Sequence, residues 1–581
     1  MLGTRAAQRD LFDVGNVFPL TLDPASFHGQ LAVAAPRLFA DAEFAAFYAD
    51  GIGRPSAPPS LLALMTLMQH ESGCSDLEAV ARTAYDLRWA AVLGKAAGVP
   101  LCAKSTFQLF RAHLVLHDGV RTIFRNSIEE ARRAGLLKGP ALRIAVDTKP
   151  ILGRGAVEDT YNLLGTGITQ LIRALAQVAG QEPAVWAQEN DLGRYLSASL
   201  KGSTAIDWSD DEGRQQFLAA IVTDARRLLR LAGTALGSEG DPAVREAATL
   251  LTQLLLQDVV ETPRADGALK AQVKAGTAKE RIPSATDPEQ RHGRKSKSKR
   301  FTGHKAAVAV DRESQIIVDA AVLAGSDPDA TGVLAQVERV EDNTGLPVAQ
   351  TGGDCAYGSG ETRQEFADAN RELVAKVPQE GENQGRFPKR AFVLDLLQET
   401  VTCPGGETTG ELTLDPAGGK TFHFGEHCRG CPLKEQCTTA AGGRTVHVHP
   451  QEALLAAARA AQQTPEGRAV LRERVVVEHR LARLGQLGIG QARYVGRQKT
   501  RLQLLLLAAI ANLRWTWNWQ QKQATAGGRA AEQRCENPAA AATAAAAPAE
   551  GAGVPAGRVW WDLFGPRVPI AARRGGLLLA H

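Results

Sequence analysis

No hydrophobic run in this 581-residue chain is long enough to cross a membrane as a helix. The longest, Leu502 to Leu513, is interrupted by Gln503 and Asn512 and falls short of the roughly 18–20 apolar residues a span needs. It reads as a buried helix. Net charge is also nearly absent: 67 Lys and Arg against 63 Asp and Glu leave +4, too little over this length to name a partner. Cysteine is sparse, eight residues in all, which argues against a secreted disulfide scaffold. The first residues carry Arg5, Arg9 and Asp10 without an apolar stretch, so no signal peptide is expected. Together these absences predict a cytoplasmic protein with no membrane partner and with reduced thiols free to bind metal. The length predicts about two to four domains.

Charge becomes informative where one sign is missing. From His479 to Lys522 there is no acidic residue, while Arg480, Arg483, Arg493, Arg497, Lys499, Arg501, Arg514 and Lys522 all fall there. A second acid-free block, RHGRKSKSKRFTGHK, runs from Arg291 to Lys305. Basic blocks of this kind suit a phosphate backbone, and equally a solvated basic face or loop.

Apolar periodicity predicts helices from about 24 to 125. Pro58–Pro59 opens the first clear one, Gly73 breaks it, Ser75 caps the next, and Ser105 opens a third. The pattern fits a helix-turn-helix module or a plain helical bundle. Ala141 to Asp147 is a short apolar strand ending on a carboxylate. Residues 155–280 read as helices. A hairpin, Lys305 to Val310 with Ile316 to Leu323, then leads to a helix at 328–341, a strand ending at Asp354, a helix at 360–370 and a strand from Glu372 to Val377. That order predicts an α/β layer with a mixed sheet. Residues 385–447 read as irregular, with a long helix at 451–487 and an apolar one at 500–518 after them. Trp515, Trp517 and Trp519 either finish a core or stack on a base, the first being the commoner use. Past Gln523 the chain is Ala/Gly-rich and is expected to be disordered.

Two carboxylates, Asp147 and Asp354, stand at the ends of core-like strands, where the reactive groups of α/β sheets gather. Glu478 borders the buried face formed by Val477, Leu481 and Leu484, one turn after Arg474. Two strand-end Asp and a Glu on a covering helix make an all-oxygen site suited to two Mg²⁺ or Mn²⁺ ions. Cys403, Cys428, Cys431 and Cys437 lie in one Gly-rich segment and suit a structural Zn²⁺, with His423 and His427 as spare ligands. Cys74, Cys102, Cys355 and Cys535 are isolated.

At this point the chain resembles the insertion-sequence transposases with a DDE triad on an RNase H-like fold. The resemblance rests on GRPSAPPSLLALMTLMQHESGCSDLEAVART at 53–83, AVDTKPI at 145–151 and TDPEQRHGRKSKSKRFTGHKAAVAVD at 286–311. GGDCAYGS at 352–359, VEHRLARL from Val477 and ARYVGRQKTRLQLLLLAAIANL ending at Leu513 complete it. It implies DNA cleavage and strand transfer at element ends, with Asp147, Asp354 and Glu478 as the triad. It implies as partners the terminal inverted repeats, target DNA and a second copy of the chain. Many relatives carry a Tyr three residues before the Arg and a Lys seven after the Glu; here Leu471 and Gly485 stand there. The expected DNA contacts are Lys299, Arg300, Lys305, Arg474, Arg493, Arg497, Lys499 and Arg501.

The resulting division has five parts. Residues 1–130 form a helical DNA-binding domain, and 140–154, 298–384 and 448–520 form the RNase H-like core. Residues 155–297 are a helical insertion ending in a basic segment, 385–447 a zinc-binding insertion, and 521–581 a tail. A DNA-binding relative without catalysis and an RNase H-like nuclease without strand transfer are the rival readings.

Overall fold

Caps and glycines cut the N-terminal region into helices. Asp13 and Ser26 accept the first backbone N–H groups of α1 (Val14–Val17) and α2 (Phe27–Leu38). Pro59 opens α3 (Pro59–Ser72), and Gly73, at φ +68°, ends it in the left-handed conformation that favours glycine. Ser75 caps α4 (Asp76–Tyr85) as expected, and α5 (Leu87–Leu93) follows. α6 (Lys104–Leu116) starts just before Ser105, and α7 (Gly119–Arg133) completes the run. The computed structural model describes residues 1–6, 11–18, 22–49, 51, 53–235, 240–263, 269–276, 278, 280–296, 298–377 and 385–536.

Strand β1 (Leu142–Leu152) begins the central sheet, and the chain then leaves it. Helices α8 (Thr160–Val178), α9 (Pro183–Glu189), α10 (Asp211–Ala235) and α11 (Pro242–Asp258) pack Leu163, Ile168, Leu171, Ile221 and Leu254 into a separate apolar cluster. The segment is not all helix. The β-branched run after Asp258 forms a hairpin, β2 (Val259–Pro263) with β3 (Leu269–Val273), because branched side chains suit a strand and Pro263 cannot extend a helix.

The chain returns through β4 (Arg291–Arg294), β5 (Arg300–Asp311) and β6 (Ile317–Ala324), passes α12 (Val333–Thr344) into β7 (Val348–Gly353), and passes α13 (Gly360–Asp368) into β8 (Leu373–Ala375). The sheet has six strands in the order β4-β5-β1-β7-β8, with β6 also on β5. β1, β5 and β6 are antiparallel to their neighbours in that half, and β1, β7 and β8 run parallel.

The Cys-rich segment is more regular than its composition suggests. It holds two three-stranded sheets, β9 (Val393–Asp395), β10 (Thr400–Thr402) and β11 (Thr408–Thr409), then β12 (Leu412–Leu414), β13 (Lys420–His423) and β14 (Thr445–Val448). They close over Phe392, Val401, Phe422 and Phe424, with the one-turn helix α14 (Lys434–Cys437) alongside. The long helix expected at 451–487 is three: α15 (Glu452–Ala461), α16 (Pro465–Glu473) and α17 (Val475–Gln486). Pro465 has no N–H to give and a ring that clashes with a preceding turn, so it starts a helix, and Thr464 caps it.

The last helix, α18 (Arg497–Glu536), runs through the core with Leu504, Leu506 and Ile510 fully buried. Asn512 on it accepts from Ile317 N–H and donates to Ile317 C=O, both at 2.9 Å, which pins it to the end of β6. Trp517 is buried, and Trp515 donates its indole N–H to Ser314 C=O at 2.8 Å; these two finish a core. N-terminal helices, sheet, α17 and α18 share one apolar cluster. The chain divides into residues 1–519 and 520–581; the expected tail lies for the most part outside the described residues, and its described part, to Glu536, is not irregular but continues α18. Among the described residues no helix is long and apolar enough to cross a membrane.

Candidate active site

β1 and β7 are parallel neighbours with Ala145 opposite Gly352. Asp147 and Asp354 each lie two residues further on, so the two residues come to neighbouring places where these strands part, near enough for the charge of Asp354 to act on Asp147. The two glycines before Asp354 are needed for close approach. A β-carbon on Gly353 would stand 2.8 Å from the buried Tyr357, and one on Gly352 would stand 3.0 Å from the Arg312 guanidinium. Asp354 also caps the short turn that follows, accepting from Ala356 N–H at 2.8 Å.

Glu478 sits in the first turn of α17, which packs across β1 and β5 through Val477, Leu481 and Leu484. Arg474, at the junction of α16 and α17, binds Glu478 at 2.6 Å and reaches to 3.6 Å from Asp147. The guanidinium thus stands between the two acids. Burial pushes the Asp147 carboxyl up to about 6, and the neighbouring charges of Asp354 and Glu478 push the same way. The Thr148 N–H and Arg474 oppose that rise. The Tyr357 hydroxyl is driven well above its usual range, first by burial and then by Asp147, Asp329 and Asp354. Tyr357 belongs to this site, and sequence reasoning did not single it out. Arg312, buried, donates to Ile144 C=O at 3.0 Å and pairs with Glu473 at 3.3 Å, fixing the backbone of β1 just before Asp147.

Of the expected DNA contacts, several have partners within the protein. Lys305 is buried, with its ammonium on Asp329 at 2.7 Å. Arg497 pairs with Glu289 at 3.2 Å and Arg501 with Asp118 at 2.7 Å. Arg493 donates to Cys74 C=O. Lys299, Arg300 and Lys499 are exposed.

The four cysteines of the 385–447 segment line one small cavity with Phe387 and Phe424. A β-carbon on Gly405 would lie 3.5 Å from Cys403 Sγ and 3.8 Å from Cys431 Sγ. Arg444 N–H donates to Cys428 Sγ at 3.3 Å. Burial raises the Cys437 thiol, Arg444 opposes this, and the other three sulfurs add to it. His427 lines the same cavity and pairs with Glu407 at 3.2 Å, while His423 is turned to Thr413 at 2.9 Å.

A family model described as a transposase DDE domain matches residues 402–517, and one described as a transposase domain (DUF772) matches residues 24–113. Both models describe transposases, and together they support an insertion-sequence DDE transposase. No curated protein matches it. The first match takes in Glu478 and the four clustered cysteines, and the second takes in α2 to most of α6. A DDE transposase acts on DNA and generally uses divalent metal. Among the described residues, no group of three or more His, Cys, Asp or Glu is placed to hold a metal ion. The three carboxylates nonetheless fit such an ion in kind. They are all-oxygen donors whose mutual repulsion raises Asp147, and a cation already stands between Asp147 and Glu478 in the form of Arg474.

Proposed function

We propose that this chain is an insertion-sequence DDE transposase that cuts DNA at the ends of its own insertion sequence and joins them to target DNA, with Asp147, Asp354 and Glu478 as its catalytic carboxylates on an RNase H-like core. The observation that carries this reading is the neighbouring placement of Asp147 and Asp354 where β1 and β7 part, with Glu478 linked to Asp147 through Arg474. The mixed sheet, three strands antiparallel and then parallel ones, supports the RNase H-like assignment.

In the first step water adds across a phosphodiester, leaving a 3′-hydroxyl and a 5′-phosphate. In the second that hydroxyl displaces a 3′-oxygen from a target phosphodiester, so one bond forms as another breaks. Divalent ions, two in the RNase H-like reading, would supply the positive charge that polarises the attacking and leaving oxygens. Asp147 is competent to hold that charge once it loses its proton, above about pH 6. Asp354 is fixed by its own cap, and Arg474 holds the Glu478 carboxylate toward β1. The buried Tyr357 packs against Gly353, directly before Asp354.

The cysteine segment is read as a structural zinc site of Cys403, Cys428, Cys431 and Cys437, supported by their common cavity and the N–H donated to Cys428. The transposase is read as working in the cytoplasm as a homodimer on its terminal inverted repeats. The test is nicking of a duplex that carries an element end and flanking DNA, with Mg²⁺ present. Asp147→Asn should bind this duplex as the native chain does and leave it uncut, because it removes an anionic oxygen and no phosphate contact. A variant that nicks at the native rate overturns the assignment.

A further inference from the structure

Arg474 flanks the carboxylates on one side. On the other side lies a cation that the catalytic reading does not use. Lys149 is on β1, two residues past Asp147, so its side chain leaves the same face of the strand, about 6.5 Å further along. It runs under α17, and its ammonium stands 3.1 Å from the point where a β-carbon on Gly485 would be, with Cε at 3.2 Å. Gly485 is seven residues after Glu478, two turns of helix, so it lies on the same face about 10 Å along. The absence of a side chain at 485 is what leaves room for the Lys149 head group.

Lys149 is half-buried as a residue and, among the described residues, its ammonium makes no hydrogen bond or ion pair. Its basic neighbours differ in this. Arg143 and Arg312 bind Glu473, Arg474 binds Glu478, and Lys305 binds Asp329. The charges that act most on Asp147 are Asp354, Arg474 and Glu478, so Lys149 is not the counter-ion of the triad. The space beyond it is open. Gly488 and Gly490 follow on the loop after α17, and a β-carbon at either would meet nothing within 4 Å. That loop is tied down to the end of β1, where Leu152 donates to Gly490 C=O at 2.9 Å and Ala492 donates to Leu152 C=O at 2.8 Å. A cation without a partner therefore stands beside Gly485, on the strand that carries Asp147 and next to a loop fixed to the end of that strand.

We infer that Lys149 is a phosphate contact for the DNA strand that is cut, gripping it on the Leu152 side of the scissile phosphate. This rests on the reading of the carboxylate site as the place of cleavage. Lys149 stabilises no step directly; it fixes which phosphate lies over Asp147 and Asp354. An ammonium serves as a point charge there, and an Arg should replace it in part.

The test measures binding of a labelled duplex bearing the terminal inverted repeat against salt, without divalent metal, with a scrambled duplex as control. Lys149→Ala should weaken binding and reduce the slope of log affinity against log salt by about 0.9, the value for one phosphate contact. Its melting temperature should stay at the native value, and Lys149→Arg should keep most of the affinity. The double variant Lys149→Ala with Gly485→Lys should recover part of the lost slope, because it returns an ammonium to the same neighbourhood from the opposite wall. Unchanged affinity and slope in Lys149→Ala overturn the inference. Nicking by Asp147→Asn, measured on the same duplex, would instead sink the catalytic reading and leave the salt result standing.

Discussion

Asp147 is the residue on which the account bears hardest. An Asp in an unfolded chain titrates near about 3.9, while burial and two neighbouring acids hold this one up to about 6. The fold therefore favours the neutral form. That contribution is fully present below the unfolded value and is lost as pH rises through about 6, so at neutral pH the ionised carboxylate is a burden. Asp147→Asn is permanently neutral. It should melt above the native protein at pH 8, with the gap closing as pH is lowered from 6 toward 4. A variant that melts lower at pH 8, measured by scanning calorimetry, contradicts this. The two aspartates were legible in the sequence because each follows a run that reads as a strand, although β1 does not end at Asp147 as expected but runs on to Leu152, while Asp354 directly follows β7. Tyr357 and the double reach of Arg474 were not, since Arg474 and Asp147 are brought together from distant parts of the chain.

At the scale of elements, hydrophobic spacing located the helices, and proline and β-branched residues decided where they stopped. One long helix was read across 451–487 because the apolar period continues through it; Thr464 and Pro465 divide it and so set the start of the helix that carries Glu478. The small sheets of the cysteine segment escaped notice because their strands are two to four residues long, too short for alternation to be read. That segment buries few apolar side chains, so a metal should contribute much of its stability. Purified protein should carry one zinc per chain, and Cys428→Ser should lose it and render residues 385–447 sensitive to protease. Protein free of zinc whose Cys428→Ser variant resists protease rules the site out. The basic blocks also divide at this scale. Arg493, Arg497 and Arg501 have partners in the protein, whereas Lys299, Arg300 and Lys499 project from β5, its preceding turn and the start of α18. Replacing these three with Ala together should flatten the salt dependence of DNA binding by roughly two to three units, at about 0.9 per contact. Stability should change little, because exposed charges contribute little to it. An unchanged slope would place the DNA elsewhere.

Across the whole molecule, one apolar cluster joins the N-terminal helices to the sheet, α17 and α18, while the inserted helices and the cysteine segment have clusters of their own. The mixed α/β class and the order of strands and helices around Asp147 and Asp354 were readable from alternating apolar runs. The sharing of one core was not, because it depends on pairings between distant segments such as Arg501 with Asp118 and Asn512 with Ile317. The central claim is that three carboxylates from β1, the end of β7 and α17 act as one reaction centre. It is tested most directly by single-turnover cleavage and joining of an end-bearing duplex with Mg²⁺. The native chain is compared with Asp147→Asn, Asp354→Asn and Glu478→Gln, each first shown to bind the duplex. The account predicts cut and joined products from the native chain alone. Native-rate cleavage by any one of the three variants would contradict it.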